Sequence, residues 1–126
     1  MFKLRGKRPA HLGVHDGRLA PPPRKPNCVS SQAAGGPAAI EPLRFSGDPA
    51  AAMQRLQTLV AAEAEIIEAT QDYLYAEYST PLMGFVDDVE FLLGDGVIHL
   101  RSASRLGYSD LGANRKRIER LRARFG

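Results

Sequence analysis

The dipeptide Asp95-Gly96 lies between two runs of alternating apolar and polar residues, and this pairing constrains the fold more than any other feature of the chain. Asp-Gly is a favoured pair in the two-residue type I′ hairpin turn. Such a turn sets strand register, and the register can be checked against the hydrophobic pattern. Pairing Gly94 with Val97 places Leu93 opposite Ile98, Phe91 opposite Leu100 and Val89 opposite Ser102, all on one face. That face is apolar until it reaches Asp87, Ser102 and Ser104. The other face carries Asp88, Glu90, Leu92, His99, Arg101 and Arg105, with Glu90 directly opposite Arg101. Turn and alternation agree. Residues 84–93 and 97–105 are predicted as a hairpin that buries Phe91 against Leu100 and turns His99 the other way.

Two further strand-like runs, 65–70 and 73–79, are joined by a short turn near Gln71-Asp72. Before them, Asp48-Pro49 reads as a helix start, an acidic N-cap followed by proline at the first helical position. Met53, Leu56, Leu59 and Val60 then form one stripe, which places a helix at about residues 49–62. A second helix ends the chain. Ser109 or Asp110 caps it, and Leu111, Ile118, Leu121 and Phe125 make its buried stripe. Arg115, Lys116, Arg117, Arg120, Arg122 and Arg124 are expected to take most of the remaining circumference. The order helix, four strands, helix implies an α+β fold: a four-stranded antiparallel sheet with both helices packed on its apolar face. Residues 1–37 are broken by Gly13, Gly17, Pro21-Pro22-Pro23 and Gly35-Gly36-Pro37, and read as an irregular basic N-terminal arm. Residues 38–126 read as a single α+β domain. Leu12, Val14 and Leu19 suggest that the arm drapes over that domain, with residues 1–9 a basic, solvated tail.

The 126 residues, 44% hydrophobic and 25% charged, suit one compact domain and argue against a wholly disordered chain. No apolar run approaches the ~18 residues of a transmembrane helix, and the start of the chain shows no apolar core of a secretory signal. One cysteine, Cys28, makes neither an internal disulfide nor a cysteine-built zinc site. The expected address is therefore the cytoplasm. Charge is segregated. Residues 1–30 hold seven Lys/Arg and one acid, residues 31–100 two Arg and eleven acids, and residues 101–126 eight Lys/Arg and two acids, for a net +3. Either the basic ends lie against the acidic middle or they seek an anionic partner.

The densest polar stretch runs from Arg101 to Arg115, from a strand end through a glycine-containing loop into a helix start. Hydroxyls, backbone N–H groups and guanidinium groups could converge there on an anion. The rival reading is a charge-compensated corner, with Arg101 and Arg105 paired to Glu90, Asp88 or Asp87. Asp87 belongs to the core face, where a carboxylate needs partners such as Ser102, Ser104 or the start of the last helix. Cys28 with His99 as base is a conceivable nucleophile pair, but nothing in the sequence forces the two together. His11 and His15 flank Gly13 and read as loop histidines, so no metal site is expected and no cofactor is implied.

Pro26-Asn27-Cys28-Val29-Ser30-Ser31, the run from Phe85 to Phe91, and the long stretch from Arg101 to Glu119 together carry a resemblance. Over Asn27 to the C-terminus the chain resembles domain-of-unknown-function family 1499, a small bacterial and plastid family. In that family the first motif often begins Cys-Pro and ends Asn-Cys. Here Pro22 stands where the first cysteine would be, so a paired-cysteine disulfide or metal option is absent. Some relatives carry export or lipoprotein leaders, which this chain is expected to lack. The resemblance implies no activity. The residues themselves support a binding module for a small anionic molecule first: Arg101, Ser104, Arg105, Tyr108, Asn114 and Arg115 would surround it, with Asp87 and Asp88 orienting the arginines. A hydrolase or transferase using Asp87, Asp88 and Glu90 stands second. Nucleic-acid binding by the basic last helix stands third, since no known motif accompanies it. The sequence names no protein partner.

Overall fold

The computed structural model describes residues 5–80 and 84–126. The chain forms β1 (Cys28–Ser30), β2 (Leu43–Arg44), α1 (Pro49–Ala61), β3 (Glu65–Ala69), β4 (Tyr73–Ser79), β5 (Val86–Leu93), β6 (Val97–Ser104) and α2 (Ala113–Phe125). Asp48 caps α1 by accepting the Ala51 N–H on its carboxylate (3.1 Å), with Pro49 next to it as expected. The fold is α+β, but the sheet has six strands rather than four. Its order is β1-β6-β5-β4-β3, and β2 shares with β1 the free edge of β6: Cys28–Ser30 pair with residues 101–103, and Leu43–Arg44 with residues 97–98. All these pairings are antiparallel. The two extra strands span three and two residues, too short to show any alternation. The supposedly irregular arm thus contributes β1.

The β5–β6 register is the expected one, with Leu93 opposite Ile98, Phe91 opposite Leu100, Val89 opposite Ser102 and Glu90 opposite Arg101. The turn is not type I′. Gly96 takes a left-handed φ of +70°, whereas Asp95 keeps negative φ. Register survives because it depends on loop length and on the Gly94 N–H donating to the Val97 carbonyl (2.8 Å), both unchanged.

Both helices cover one face of the sheet. Leu56 and Val60 of α1 and Ile118 and Leu121 of α2 meet Leu74, Val89, Phe91, Ile98 and Leu100 in the main core. The opposite face is covered by the N-terminal arm. Leu19 is buried there with Tyr73, Tyr75 and Leu92, and Leu12 and Ile67 pack against them. A bulge between Ile66 and Glu68 accompanies the split of Ile66 and Ile67 between the two clusters.

Three further expectations fail. Leu111 is not in the α2 stripe: it precedes the helix, in positive φ, and is 87% exposed. Arg117 is buried, not on the outer circumference. Residues 5–9 are not simply a solvated tail, because Arg5 and Arg8 both bond Glu77; Met1 to Leu4 lie outside the described residues.

Candidate functional site

The residues picked out by the sequence separate into two networks, on opposite faces of the sheet, and one cleft. Alternation along β5 decides the split, since Asp87 and Asp88 must point in opposite directions. On the helix face, Arg117 donates to Asp87 Oδ2 (2.7 Å), to Asn114 Oδ1 (2.9 Å) and to Ser102 Oγ (3.2 Å), and its guanidinium lies 4.7 Å from the Tyr78 ring centroid. Ser102 donates to Asn114 Oδ1 (2.6 Å). The Asn114 amide nitrogen donates to Ser104 Oγ (2.9 Å), Asp110 Oδ2 (2.7 Å) and the Asn27 carbonyl (3.2 Å). Asp87 is partnered from α2, but by Arg117 in its second turn rather than by Ser102, Ser104 or the helix start. The missing partner in the sequence reading was Arg117, whose i+3 spacing from Asn114 puts both on the face that meets β5 and β6.

On the arm face, Arg105 grips Asp88 with two bonds (2.8 and 2.9 Å) and Glu77 Oε2 with a third (2.6 Å), and its side chain is 4% exposed. Tyr75 donates to Asp88 Oδ1 (2.5 Å) and Glu77 Oε2 (3.0 Å). Burial would raise the Glu77 carboxyl, but bonds from Arg8, Arg105 and Tyr75 outweigh it and hold the group below the usual range. The same contacts, Asp88 first, push the Arg105 guanidinium up against its burial. Burial, and then the bond each phenol gives to a carboxylate, raise Tyr73 and Tyr75. Glu90 accepts from Tyr73 Oη (2.5 Å) and from the Gly13 N–H (2.7 Å). Arg101 makes no ion pair with Glu90, although the two are opposite in register. It donates instead to the backbone carbonyls of Ala20 (3.0 Å) and Pro21 (3.4 Å). Tyr73, Tyr75 and Glu77 went unnoticed, although their shared parity on β4 was available.

The remaining sites lie at the edge. Tyr108 is 68% exposed. Arg115 donates to the carbonyls of Pro37 (2.8 Å) and Ala39 (2.9 Å) and lines a cleft of about 490 Å³ with Arg24, Lys25, Cys28, Pro37 and Asp110. Asp110 holds the start of α2: its carboxylate accepts the N–H groups of Gly112 (2.8 Å) and Asn114 (3.2 Å). Partial burial opposes ionisation of Asp110, yet the Asn114 side chain and these N–H groups prevail and lower it. Burial pushes the Cys28 thiol up to about 11, the reverse of an activated nucleophile. Cys28 also pairs with Ala103, four residues along β6 from His99, or roughly 13 Å. His99 Nδ1 lies 3.2 Å from Ser31 Oγ, and burial, then Arg18, lowers its pKa. Among the described residues no three His, Cys, Asp or Glu side chains gather as a metal centre requires, and no helix is long and apolar enough to cross a membrane.

A six-stranded sheet with two helices on one face, an arm on the other and a basic cleft beside the second helix defines a small α+β protein. Residues 18–125 match the family described as "Protein of unknown function (DUF1499)", and the chain belongs to that family. No curated protein and no solved structure matches it.

Proposed function

We propose that the domain is a binding module for a small anionic molecule, seated in the cleft between residues 23–26, residues 35–38 and the start of α2. The observation that carries this reading is the cleft's charge: Arg24, Lys25 and Arg115 line it against one carboxylate, Asp110. That carboxylate is held ionised by the first turn of α2 and keeps its charge, so three cations face one anion and the cleft stays net positive. A volume of about 490 Å³ suits a small ligand. Pro23, Pro26, Val29 and Pro37 give the cleft apolar walls for the ligand's uncharged part. Of the residues first grouped around the anion, Arg115 stays in this role. Arg105, Ser104, Asn114, Asp87 and Asp88 hold the surrounding structure together.

Two features favour binding over catalysis or nucleic-acid contact. Asp87 and Asp88 are each closed by an arginine, on opposite faces of the sheet, and Glu90 is buried beneath the arm. On α2, Arg117, Arg122 and Arg124 are committed to protein acceptors, which leaves Lys116 and Arg120 as a sparse basic face. The test is thermal melting in inorganic phosphate and in citrate against chloride at matched ionic strength. Citrate is expected to raise the Tm of the wild type, by linkage of binding to folding. Arg24→Ala/Lys25→Ala and Arg115→Ala are expected to lose that rise. Equal melting in all three salts overturns the reading.

A further inference from the structure

We propose that the polar face of the sheet is a recognition surface for an arginine-bearing segment of a partner protein, and that residues 5–21 are its tethered occupant. This surface lies across the sheet from the core that carries the helices, and the inference is independent of the cleft. Its acceptors are Glu77, Asp88 and Glu90, all buried, against two arginines of the sheet itself. Arg105 is spent on Asp88 and one oxygen of Glu77, and Arg101 turns to the arm's carbonyls. Buried carboxylates need charged or hydrogen-bonding partners, and the arm supplies the balance. Arg5 donates to Glu77 Oε1 (3.1 Å), Arg8 to Glu77 Oε2 (2.8 Å) and the Gly13 N–H to Glu90 Oε2.

The arm fits this face as a replaceable ligand does. Arg5 and Arg8 reach buried Glu77 with side chains 42% and 54% exposed, so the arginine end of each pair is open to solvent and to exchange. Glu90 is fully buried, yet its Oε1 has no partner among the described residues. A segment bringing one more donor would satisfy it. A cavity of about 490 Å³ opens along the arm between His11, Arg18, Pro21 and Gln32, so the arm leaves space at its own edge. The acceptors Glu77 and Glu90 fall within the family match at residues 18–125, whereas Arg5, Arg8 and Gly13 precede it. The surface belongs to the family domain. The arm residues that bond its carboxylates in this chain lie outside that match, and only the arm's last residues, 18–21, fall within it.

The probe is a fluorescently labelled synthetic peptide with the sequence of residues 5–21, followed by anisotropy on the full chain. A tethered segment competes at a high effective concentration, so the wild type is expected to bind the peptide poorly. Arg5→Ala/Arg8→Ala weakens the internal competitor and is expected to bind at least about tenfold more tightly. Gly13→Pro, which removes the N–H to Glu90 and cannot adopt the native φ of +100°, loosens the arm by another route and is expected to do the same. Circular dichroism decides which of the two variants is folded and carries the comparison. A peptide with both arginines changed to alanine is expected not to bind. Equal affinity in wild type and loosened variants, no binding by any of them, or equal binding of the arginine-free peptide overturns the proposal.

Discussion

Asp87 lies on the apolar face of β5, and its charge is accommodated there by a single guanidinium, Arg117. Removing one member of a buried pair strands the other, so Asp87→Ala is expected to cost about 3–5 kcal/mol. Replacing both, as in Asp87→Leu/Arg117→Met, is expected to restore much of that loss, because Ser102 and Asn114 remain bonded to each other. Urea denaturation of the wild type, Asp87→Ala, the matching singles Asp87→Leu and Arg117→Met, and the double variant measures the difference. Two single variants adding up to the double would mean that the pair is not coupled. The carboxylate was legible as a problem in the sequence. Its solution was not, because the solving arginine sat among six basic residues on one helix, and helical spacing alone does not say which of them faces inward.

The β5–β6 hairpin is the element in which local rules and tertiary packing agree most closely. Phe91 is fully buried opposite Leu100, under both helices. Phe91→Ala is expected to cost about 3–5 kcal/mol through lost burial and a residual cavity, read from chemical denaturation. A loss below about 1 kcal/mol would mean that the site collapses around the deletion. Among the elements, α2 shows the limit of periodicity. Its stripe of Ile118, Leu121 and Phe125 is buried as read, but Leu111, which periodicity adds to it, is not. Asp110 bonds the N–H groups of Gly112 and Asn114, and Leu111 is left outside in positive φ. The N-cap is neither Ser109 nor Asp110 but Gly112, in left-handed φ and without a side-chain cap bond; Asp110 reaches the helix start from two residues before that cap.

At the scale of the whole molecule, the segregated charges find one another. Arg5, Arg8 and Arg105 converge on Glu77, Arg117 meets Asp87, and Arg124 meets Glu63, so basic ends are folded back on an acidic middle. This closure is pH-sensitive with a definite sign. The folded Glu77 carboxyl lies below its ordinary value, so its stabilisation is complete above the unfolded pKa and is lost as pH falls through the folded one. Below roughly pH 4.3 the wild type should therefore lose stability faster than Glu77→Gln, which has no such charge to lose. Urea midpoints between about pH 5 and pH 3 test this, and parallel curves for the two proteins would refute it.

The sequence by itself determined the α+β class, both long helices, the four longer strands and the β5–β6 register, because each rests on periodicity and turn length within one stretch of chain. It also showed that the three charge blocks had to be reconciled. Only the tertiary structure decided that β1 and β2 share an edge of β6, that residues 5–21 cover the second face, and that Arg24 and Lys25 join Arg115 at one cleft. Those features depend on contacts between residues some 50 to 90 positions apart, such as Leu43 with Ile98, Arg5 with Glu77 and Asn114 with Asn27. Short strands and an irregular arm carry no periodic signal, and a guanidinium has the same local sequence signature whether it meets a carboxylate, a carbonyl or water.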